Sequence, residues 1–225
     1  MSHEPDERDS RRRVVIVALG DSTTAGTPLF KSPVEAPPDG DGDRRSQFAY
    51  WLMQAHPDWQ VLNCGINGER SDEIAHRFDR DVLAARPRVV IVIAGVNDVY
   101  QGRPAAHVTS QLRAIYDRAA HAGIHVVAGS IVPYNTATPD QNARMRAHNE
   151  WLAAESARDP NVGFADTRGA VAAADDPDKL SGSPDGLHPD VDGYRKMAEA
   201  LEPVITGGLQ ETARFRGPHP PASRR

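Results

Sequence analysis

Six consecutive apolar residues, at positions 14–19, constrain the fold more than any other stretch of the chain. They do not alternate with polar residues, which is typical of a strand buried on both faces of a parallel sheet. The run ends at Gly20, and Asp21 and Ser22 follow directly. Parallel α/β sheets bind ligands at the carboxyl ends of their strands, so Ser22 is expected at that edge. An ordinary turn with Ser22 as a helix cap explains these residues equally well when they are taken alone.

Short apolar segments and amphipathic segments alternate along the rest of the chain. Further strands are predicted over residues 59–64, 88–94, 124–132 and 161–166. Helices are predicted over residues 47–56, 71–85, 104–122, 142–156 and 192–205, with Ser71 as a possible cap of the second. This alternation favours a three-layer α/β/α fold, in which a five-stranded parallel sheet carries helices on both faces.

One domain, residues 13–205, accounts for these elements in a chain of 225 residues. Residues 1–12 are polar and charged after Met1 and predict a disordered lead. Residues 206–225 contain three prolines and four arginines and predict a flexible tail. Residues 27–46 contain four prolines, which exclude a regular helix and predict a long insertion loop beside Ser22.

Composition excludes several classes of partner. The formal net charge of −5 provides no basic surface for nucleic acid. The single cysteine, Cys64, excludes an internal disulfide and is best explained as a small buried residue. Neither a signal peptide nor a membrane-spanning run is found, so we expect a cytoplasmic protein without a membrane partner. The aspartates of residues 39–43 lack the other ligands of a calcium loop. His121 and His125 are four residues apart, but Gly123 lies between them and no glutamate follows His121 as a zinc protease requires, so no metal or cofactor is expected.

Three further segments place small or polar residues where the sheet would bind a ligand. Gly65 ends the second predicted strand, and Asn97 follows the third. Asp185 and His188 lie three residues apart near the end of the domain. A turn, a helix cap or a surface position would explain each of these residues separately. Their shared location at the carboxyl edge of the sheet favours a common site.

These residues supply the groups that acyl transfer by a serine needs. Ser22 provides a hydroxyl, and His188 provides a base, because histidine ordinarily titrates near neutral pH. Asp185 is close enough in sequence to accept the imidazole Nδ1–H, which leaves Nε2 to face Ser22. The backbone N–H groups of Ser22 and Gly65 and the carboxamide of Asn97 are the predicted donors to the oxyanion.

The four segments together resemble the sequence blocks of the SGNH hydrolases, also called GDSL esterases and lipases. The blocks are Gly20-Asp21-Ser22, Asn63 with Gly65, Gly95-Val96-Asn97-Asp98, and Asp185-Gly186-Leu187-His188-Pro189. The resemblance covers residues 14–205. It implies a flavodoxin-like sheet of order 2-1-3-4-5 without a metal, and Ser22 as the nucleophile. It also implies Gly65 and Asn97 as oxyanion donors and an Asp185–His188 pair that completes the catalytic triad.

Two departures from the family pattern are visible. Thr23 stands where the family name has leucine, at a position with no chemical role. The insertion at residues 27–46 is expected to reshape the pocket beside Ser22, and its apolar residues Leu29, Phe30 and Val34 could line that pocket. We expect Asp21 and Asp98 to hold their loops by hydrogen bonds.

The resulting hypothesis is a serine-dependent carboxylic ester hydrolase that acts through an acyl-enzyme intermediate on a small-molecule ester. The lack of a secretion signal and of a strongly apolar lid favours short-chain acyl or acetyl esters. An acyltransferase with the same triad is one alternative. A non-catalytic, flavodoxin-like binding domain is another, although the Gly-rich pattern of a phosphate-binding loop is missing. The sequence gives no oligomeric state.

Overall fold

The computed structural model describes residues 13–216 and the side chains of residues 13–212. The strands are β1 (Val14–Gly20), β2 (Phe30–Lys31), β3 (Asp41–Gly42), β4 (Trp59–Gly65), β5 (Val89–Ile93), β6 (His125–Gly129) and β7 (Val162–Ala165). Five of them form a parallel sheet of order β4-β1-β5-β6-β7, and β2 and β3 form a separate antiparallel hairpin. Counted along the sheet strands alone, the order is 2-1-3-4-5, which confirms the predicted flavodoxin-like fold.

Helices cover both faces of this sheet. They are α1 (Ser22–Ala25), α2 (Phe48–Ala55), α3 (Ser71–His76), α4 (Val96–Tyr100), α5 (Ala105–His121), α6 (Pro139–Ser156), α7 (Thr167–Val171) and α8 (Val191–Arg216). A 3₁₀ turn at Arg44–Ser46 and a π-helical turn at Asp79–Leu83 complete the set. One core cluster lies between the sheet and helices α2, α7 and α8, and a second lies between the sheet and helices α3 and α5.

Strand β1 shows why its sequence does not alternate. Ile16 and Ala18 pack into the first cluster, whereas Val17 and Leu19 pack into the second. All four side chains are fully buried. A strand in the middle of a two-sided sheet therefore needs apolar residues at every position.

The helix predicted over residues 71–85 is interrupted. Regular α-helix ends at His76, because Arg77 leaves the helical conformation and its buried guanidinium donates to the carbonyl of Gly20 at 2.7 Å. The expectation that Ser71 caps this helix was also wrong. Ser71 lies inside α3, where its N–H and hydroxyl both donate to the buried carboxylate of Asp98.

The predicted boundary at residue 206 was wrong, because α8 continues to Arg216. The remaining tail residues 217–225 and the lead at residues 1–12 lie outside the described part of the chain. Two glycines, Gly207 and Gly208, stand at the predicted boundary, and glycine in a helix interior is unfavourable by about 1 kcal/mol relative to alanine. Local propensity therefore favours an earlier end than the structure has.

Tertiary contacts explain why α8 continues past these glycines. A Cβ atom at Gly208 would lie 2.1 Å from the His125 ring, so only glycine lets the helix pack this closely against β6. Directly after Gly208, the guanidinium of Arg88 donates to the carbonyl of Leu209 at 2.7 Å, and one turn further it donates to the hydroxyl of Thr212 at 2.9 Å. These contacts hold the last part of the helix against the sheet.

The insertion at residues 27–46 contains no regular α-helix, as predicted. Phe30 is buried and Val34 packs against the second core cluster, whereas Leu29 is exposed. Among the described residues, no helix is both long enough and apolar enough to cross a membrane.

Candidate functional site

Ser22 lies at the carboxyl end of the central strand. Asp21 occupies the cap position of α1, and its Oδ1 accepts the N–H of Thr23 at 3.0 Å. Ser22 is the first residue of this short helix, so its own N–H has no acceptor within the helix. The residue is only 9% exposed. Its hydroxyl is therefore held in a fixed position at the edge of the sheet.

The structure brings Ser22, His188 and Asp185 together. The hydroxyl oxygen of Ser22 lies 2.8 Å from Nε2 of His188, and Nδ1 of His188 lies 2.7 Å from Oδ2 of Asp185. A carboxylate only accepts hydrogen bonds, so Nδ1 carries the proton and Nε2 is left to accept from the serine. Burial raises the pKa of Asp185, but the hydrogen bonds from His188 and from two backbone N–H groups outweigh it and bring this pKa below its ordinary value.

The segment that carries Asp185 and His188 has no regular secondary structure and is held by hydrogen bonds. The hydroxyl of Ser183 donates to the carbonyl of His188 at 2.6 Å. The N–H of Asn135 donates to the carbonyl of Gly186 at 2.8 Å, and the Asn135 side chain accepts the N–H of Leu180. The loop after β6, which contains Asn135, therefore holds this segment by hydrogen bonds.

A cavity of about 290 Å³ opens beside the Ser22 hydroxyl. Its polar lining residues are Ser22, Thr23, Asn67, Asn97 and His188, and Gly68 lies among them in the lining. The other lining residues are apolar or aromatic: Val96, Tyr100, Val132, Tyr134 and Leu187. A compact apolar cavity with a few convergent polar groups is typical of a small-molecule site.

The structure places one of the two further oxyanion candidates at this cavity and not the other. Asn97 lines the cavity, and its carboxamide uses one hydrogen on the carbonyl of Glu69 at 2.9 Å, which leaves the second available. The N–H of Gly65 instead donates to Oδ1 of Asn63 at 3.0 Å, and Gly65 does not line the cavity. The prediction that Gly65 donates to the oxyanion was therefore wrong.

Gly68, and not Gly65, is the glycine after β4 that lines the cavity. It lies in the turn after β4, lines the cavity, and has φ +78°, a conformation that favours glycine. Within residues 13–216, its N–H has no hydrogen-bond acceptor. The dipeptide Asn67-Gly68 is itself a strong turn signal, and it was the feature of the sequence that could have revealed this position.

Asp21 and Asp98 hold the neighbouring loops, as expected. Asp21 caps α1, and Asp98 accepts two hydrogen bonds from Ser71. Burial, opposed mainly by the hydrogen bond from Thr23, raises the pKa of Asp21 to about 7. Its Oδ2 atom is buried and has no hydrogen-bond partner among the described residues.

Other reactive side chains belong to the structure rather than to the cavity. Cys64 is buried, and burial raises the pKa of its thiol to about 11. In the described part of the chain, one set of three residues has the spacing of metal ligands: Asp72, Asp98 and His107. Asp98 already accepts two hydrogen bonds and Asp72 pairs with the guanidinium of Arg70, whereas Nε2 of His107 is buried and has no hydrogen-bond partner among the described residues.

The insertion does not line the cavity, contrary to expectation. None of residues 27–46, all of which the structure describes, is part of its wall. Phe30 and Val34 instead pack inward against the protein. The contacts that the insertion makes near the site are with the turn that carries Gly68.

A serine, a histidine and an aspartate hydrogen-bonded in series at the edge of a parallel sheet are typical of hydrolases that use a serine. The sequence profile of the GDSL-like Lipase/Acylhydrolase family matches residues 18–196, so the chain belongs to this family. It is an enzyme that acts on ester bonds, and the non-catalytic binding domain considered above is set aside. No curated protein sequence matches the chain significantly.

Solved structures share this fold. A G-D-S-L family protein from Desulfitobacterium hafniense DCB-2 is 25% identical, with a TM-score of 0.70 over 85% of this chain and 99% of the other. A lipolytic G-D-S-L family member from Veillonella parvula DSM 2008 is 21% identical, with a TM-score of 0.66 over 86% and 98%. A variant of Axe2, an acetyl-xylooligosaccharide esterase from Geobacillus Stearmophilus, is 21% identical, with a TM-score of 0.66 over 85% and 94%.

Proposed function

We propose that the protein is a serine-dependent carboxylic ester hydrolase that works through an acyl-enzyme intermediate. Ser22 is the nucleophile, His188 the general base and Asp185 the residue that orients the base. The observation that carries this proposal is the continuous series of short contacts from Ser22 Oγ to His188 Nε2 at 2.8 Å, and from His188 Nδ1 to Asp185 at 2.7 Å. Each contact lies within the range that proton transfer requires.

The reaction proceeds in two halves. In the first, Ser22 Oγ attacks the ester carbonyl carbon while Nε2 of His188 takes the hydroxyl proton. The tetrahedral intermediate then breaks its bond to the alcohol oxygen, and His188 returns the proton to the departing alcohol. In the second half, water attacks the acyl-enzyme with the same proton transfers, and the carboxylic acid leaves.

The negative oxygen of the tetrahedral intermediate needs hydrogen-bond donors in the cavity. We assign this role to the N–H groups of Ser22 and Gly68 and to the second carboxamide hydrogen of Asn97. All three residues line the cavity. Removing a single donor of this kind typically lowers the rate by about 10²–10³-fold.

The cavity favours a small acyl group. Its volume of about 290 Å³ is at the lower end of the range for ligand pockets. Tyr100 and Leu187 are 64% and 43% exposed, so they stand at its mouth rather than in its depth. Short-chain acyl or acetyl esters fit this shape, and the acetyl-ester activity in the name of Axe2 is consistent with it.

Hydrolysis of a p-nitrophenyl ester series, from acetate to palmitate, tests the proposal. The wild type should hydrolyse the short esters fastest, and Ser22→Ala should lose the activity while keeping its melting temperature. A fluorophosphonate should label the wild type at Ser22, which peptide mass spectrometry can locate. Hydrolysis by Ser22→Ala at the wild-type rate would contradict the assignment. Addition of a competing alcohol then separates hydrolysis from acyl transfer to that alcohol.

A further inference from the structure

The insertion at residues 27–46 holds the turn that carries Gly68. The carboxylate of Glu35 accepts two hydrogen bonds from Asn67, one from its N–H at 3.0 Å and one from its Nδ2 at 3.2 Å. The hydroxyl of Thr27 donates to Oδ1 of the same asparagine. The insertion therefore engages both ends of the Asn67 side-chain amide and its backbone N–H.

Glu35 is in turn fixed by the body of the protein. The fully buried Ser32 donates its hydroxyl to the carbonyl of Gly65 at 2.6 Å, and its own carbonyl accepts the N–H of Glu35 at 3.0 Å. At the start of the insertion, the buried Tyr194 donates its phenol to the carbonyl of Thr27 at 2.7 Å. Glu35 thus approaches Asn67 from an anchored position.

The conformation of Asn67 decides where the Gly68 N–H points. Residues 66–69 form a turn in which the central peptide joins Asn67 to Gly68. The two common β-turn types differ by about 150° in ψ at the second residue and by the sign of φ at the third, which amounts to a rotation of this central peptide. Fixing Asn67 therefore fixes the direction of the next N–H.

We propose that Glu35 is a positioning residue for the oxyanion site: its two hydrogen bonds to Asn67 hold the turn so that the Gly68 N–H faces the cavity. This inference rests on the proposed function. Glu35 does not line the cavity and touches no reacting atom, so it acts only through Asn67. The insertion accordingly belongs to the catalytic architecture without forming part of the pocket wall.

Kinetics of Glu35→Ala test this role. The variant should lose about 10- to 100-fold in kcat with little change in KM, because a misdirected donor weakens binding of the transition state more than binding of the ester. The loss should be smaller than that for a deleted donor, because the N–H is still present. A boronic acid that forms a tetrahedral adduct with Ser22 should bind more weakly by the same factor as the fall in kcat/KM.

Two further variants separate positioning from general destabilisation. Glu35→Gln keeps one oxygen that can accept the Asn67 N–H but places its NH₂ group against Nδ2 of Asn67, so it should recover part of the activity. Asp39→Ala removes the same charge from the same insertion at an exposed residue whose carboxylate makes no hydrogen bond or ion pair within residues 13–216, and it should match the wild type. Asn67→Ala keeps the backbone N–H that donates to Glu35 and loses the side-chain contacts with Glu35 and Thr27, so adding Glu35→Ala to it should lower kcat by a smaller factor than in the wild type.

The possible outcomes decide between the two proposals. If the wild type shows Ser22-dependent hydrolysis and Glu35→Ala behaves like Asp39→Ala, the positioning role is wrong and the proposed function stands. A fall in kcat that follows only the unfolded fraction, measured by thermal melting, also overturns the positioning role. The absence of Ser22-dependent hydrolysis in the wild type overturns both. A fall in kcat in the folded variant, with partial rescue by Glu35→Gln, supports both.

Discussion

Replacement of Asp185 by asparagine gives a sharp test of how the base is oriented. Oδ1 of Asp185 accepts two backbone N–H groups, those of Leu187 and His188, each at 2.9 Å. Oδ2 accepts the His188 Nδ1–H at 2.7 Å. Asparagine has only one side-chain oxygen, and the two backbone donors are fixed in place. The asparagine oxygen must therefore stay with the backbone, and its NH₂ group must face the imidazole.

That orientation forces the wrong form of histidine. Nδ1 of His188 would have to accept a hydrogen bond, so Nε2 would carry the proton and could not take one from Ser22. We expect Asp185→Asn to lower kcat by about 10⁴-fold, the magnitude of this defect in a serine triad, which corresponds to about 5 kcal/mol in the activation barrier. Stability should change little, because the two backbone hydrogen bonds to the loop survive.

Asp185→Ala is the matched comparison. Alanine loses the hydrogen bonds to the loop, at about 0.5–1.5 kcal/mol each, so it should melt at a lower temperature than the asparagine variant. It leaves space for water beside Nδ1, however, so it does not impose the wrong form of the imidazole. Alanine should therefore be at least as active as asparagine. Steady-state hydrolysis of p-nitrophenyl acetate, with the Ser22→Ala rate subtracted, measures both. Asparagine more than about tenfold faster than alanine would refute the orientation argument.

Two further predictions concern stability. Burial raises the pKa of Asp21 from 3.8 to about 7, so the contribution of Asp21 to stability is complete below the unfolded pKa and is lost as the pH rises toward 7. Thermal melts should therefore show Asp21→Asn gaining stability relative to the wild type over this pH range. Parallel pH profiles of the two proteins would contradict the burial of an unpartnered carboxylate. Gly208→Ala should lower the free energy of unfolding by about 1–3 kcal/mol, because its Cβ would overlap His125. Gly207→Ala meets no atom within 4 Å and should stabilise α8 by up to about 1 kcal/mol, so equal effects of the two in urea titrations would contradict the close packing of α8.

The sequence was most informative where a candidate site residue directly follows a strand or lies close in sequence to another candidate. Ser22 follows β1 after a single residue, so its location at the sheet edge depends only on recognising a buried strand. Asp185 and His188 are three residues apart, so their contact is local. Short separations of this kind leave the chain little freedom, so local geometry predicts the position of Ser22 and the Asp185–His188 contact, whereas the contact between Ser22 and His188 depends on the fold.

The prediction of the oxyanion donor was wrong because it depended on the orientation of a single peptide. Gly65 is the last residue of β4 and pairs with Gly20 in the sheet. Its N–H donates to Oδ1 of Asn63 within its own strand, and Gly65 does not line the cavity. Gly68 lies only three residues further, but the direction of its N–H depends on contacts with Glu35, more than thirty residues earlier. Sequence spacing contains no information about such a contact.

The end of α8 was missed for a related reason. Two adjacent glycines favour a helix end when only local propensity is considered. Gly208 is tolerated because it lets the helix approach His125, and Arg88 then fixes the turn that follows. Both partners come from distant parts of the chain, so packing overrides propensity at this point.

The strand order gives a physical reason for the role proposed for the insertion. In the order β4-β1-β5-β6-β7, β1 lies between β4 and β5, so the turns after its two neighbours flank Ser22 from opposite sides. The turn that carries Asn97 follows an interior strand, which has β6 beyond it. Within residues 13–216, β4 is the edge strand, and the turn with Gly68 has no strand on its outer side. A donor turn at a sheet edge lacks the neighbouring loop that would otherwise hold it. The contact between Glu35 and Asn67 lies on this side and takes the place of a neighbouring loop, so in the proposed role the insertion stabilises the half of the proposed oxyanion site that the sheet leaves unsupported.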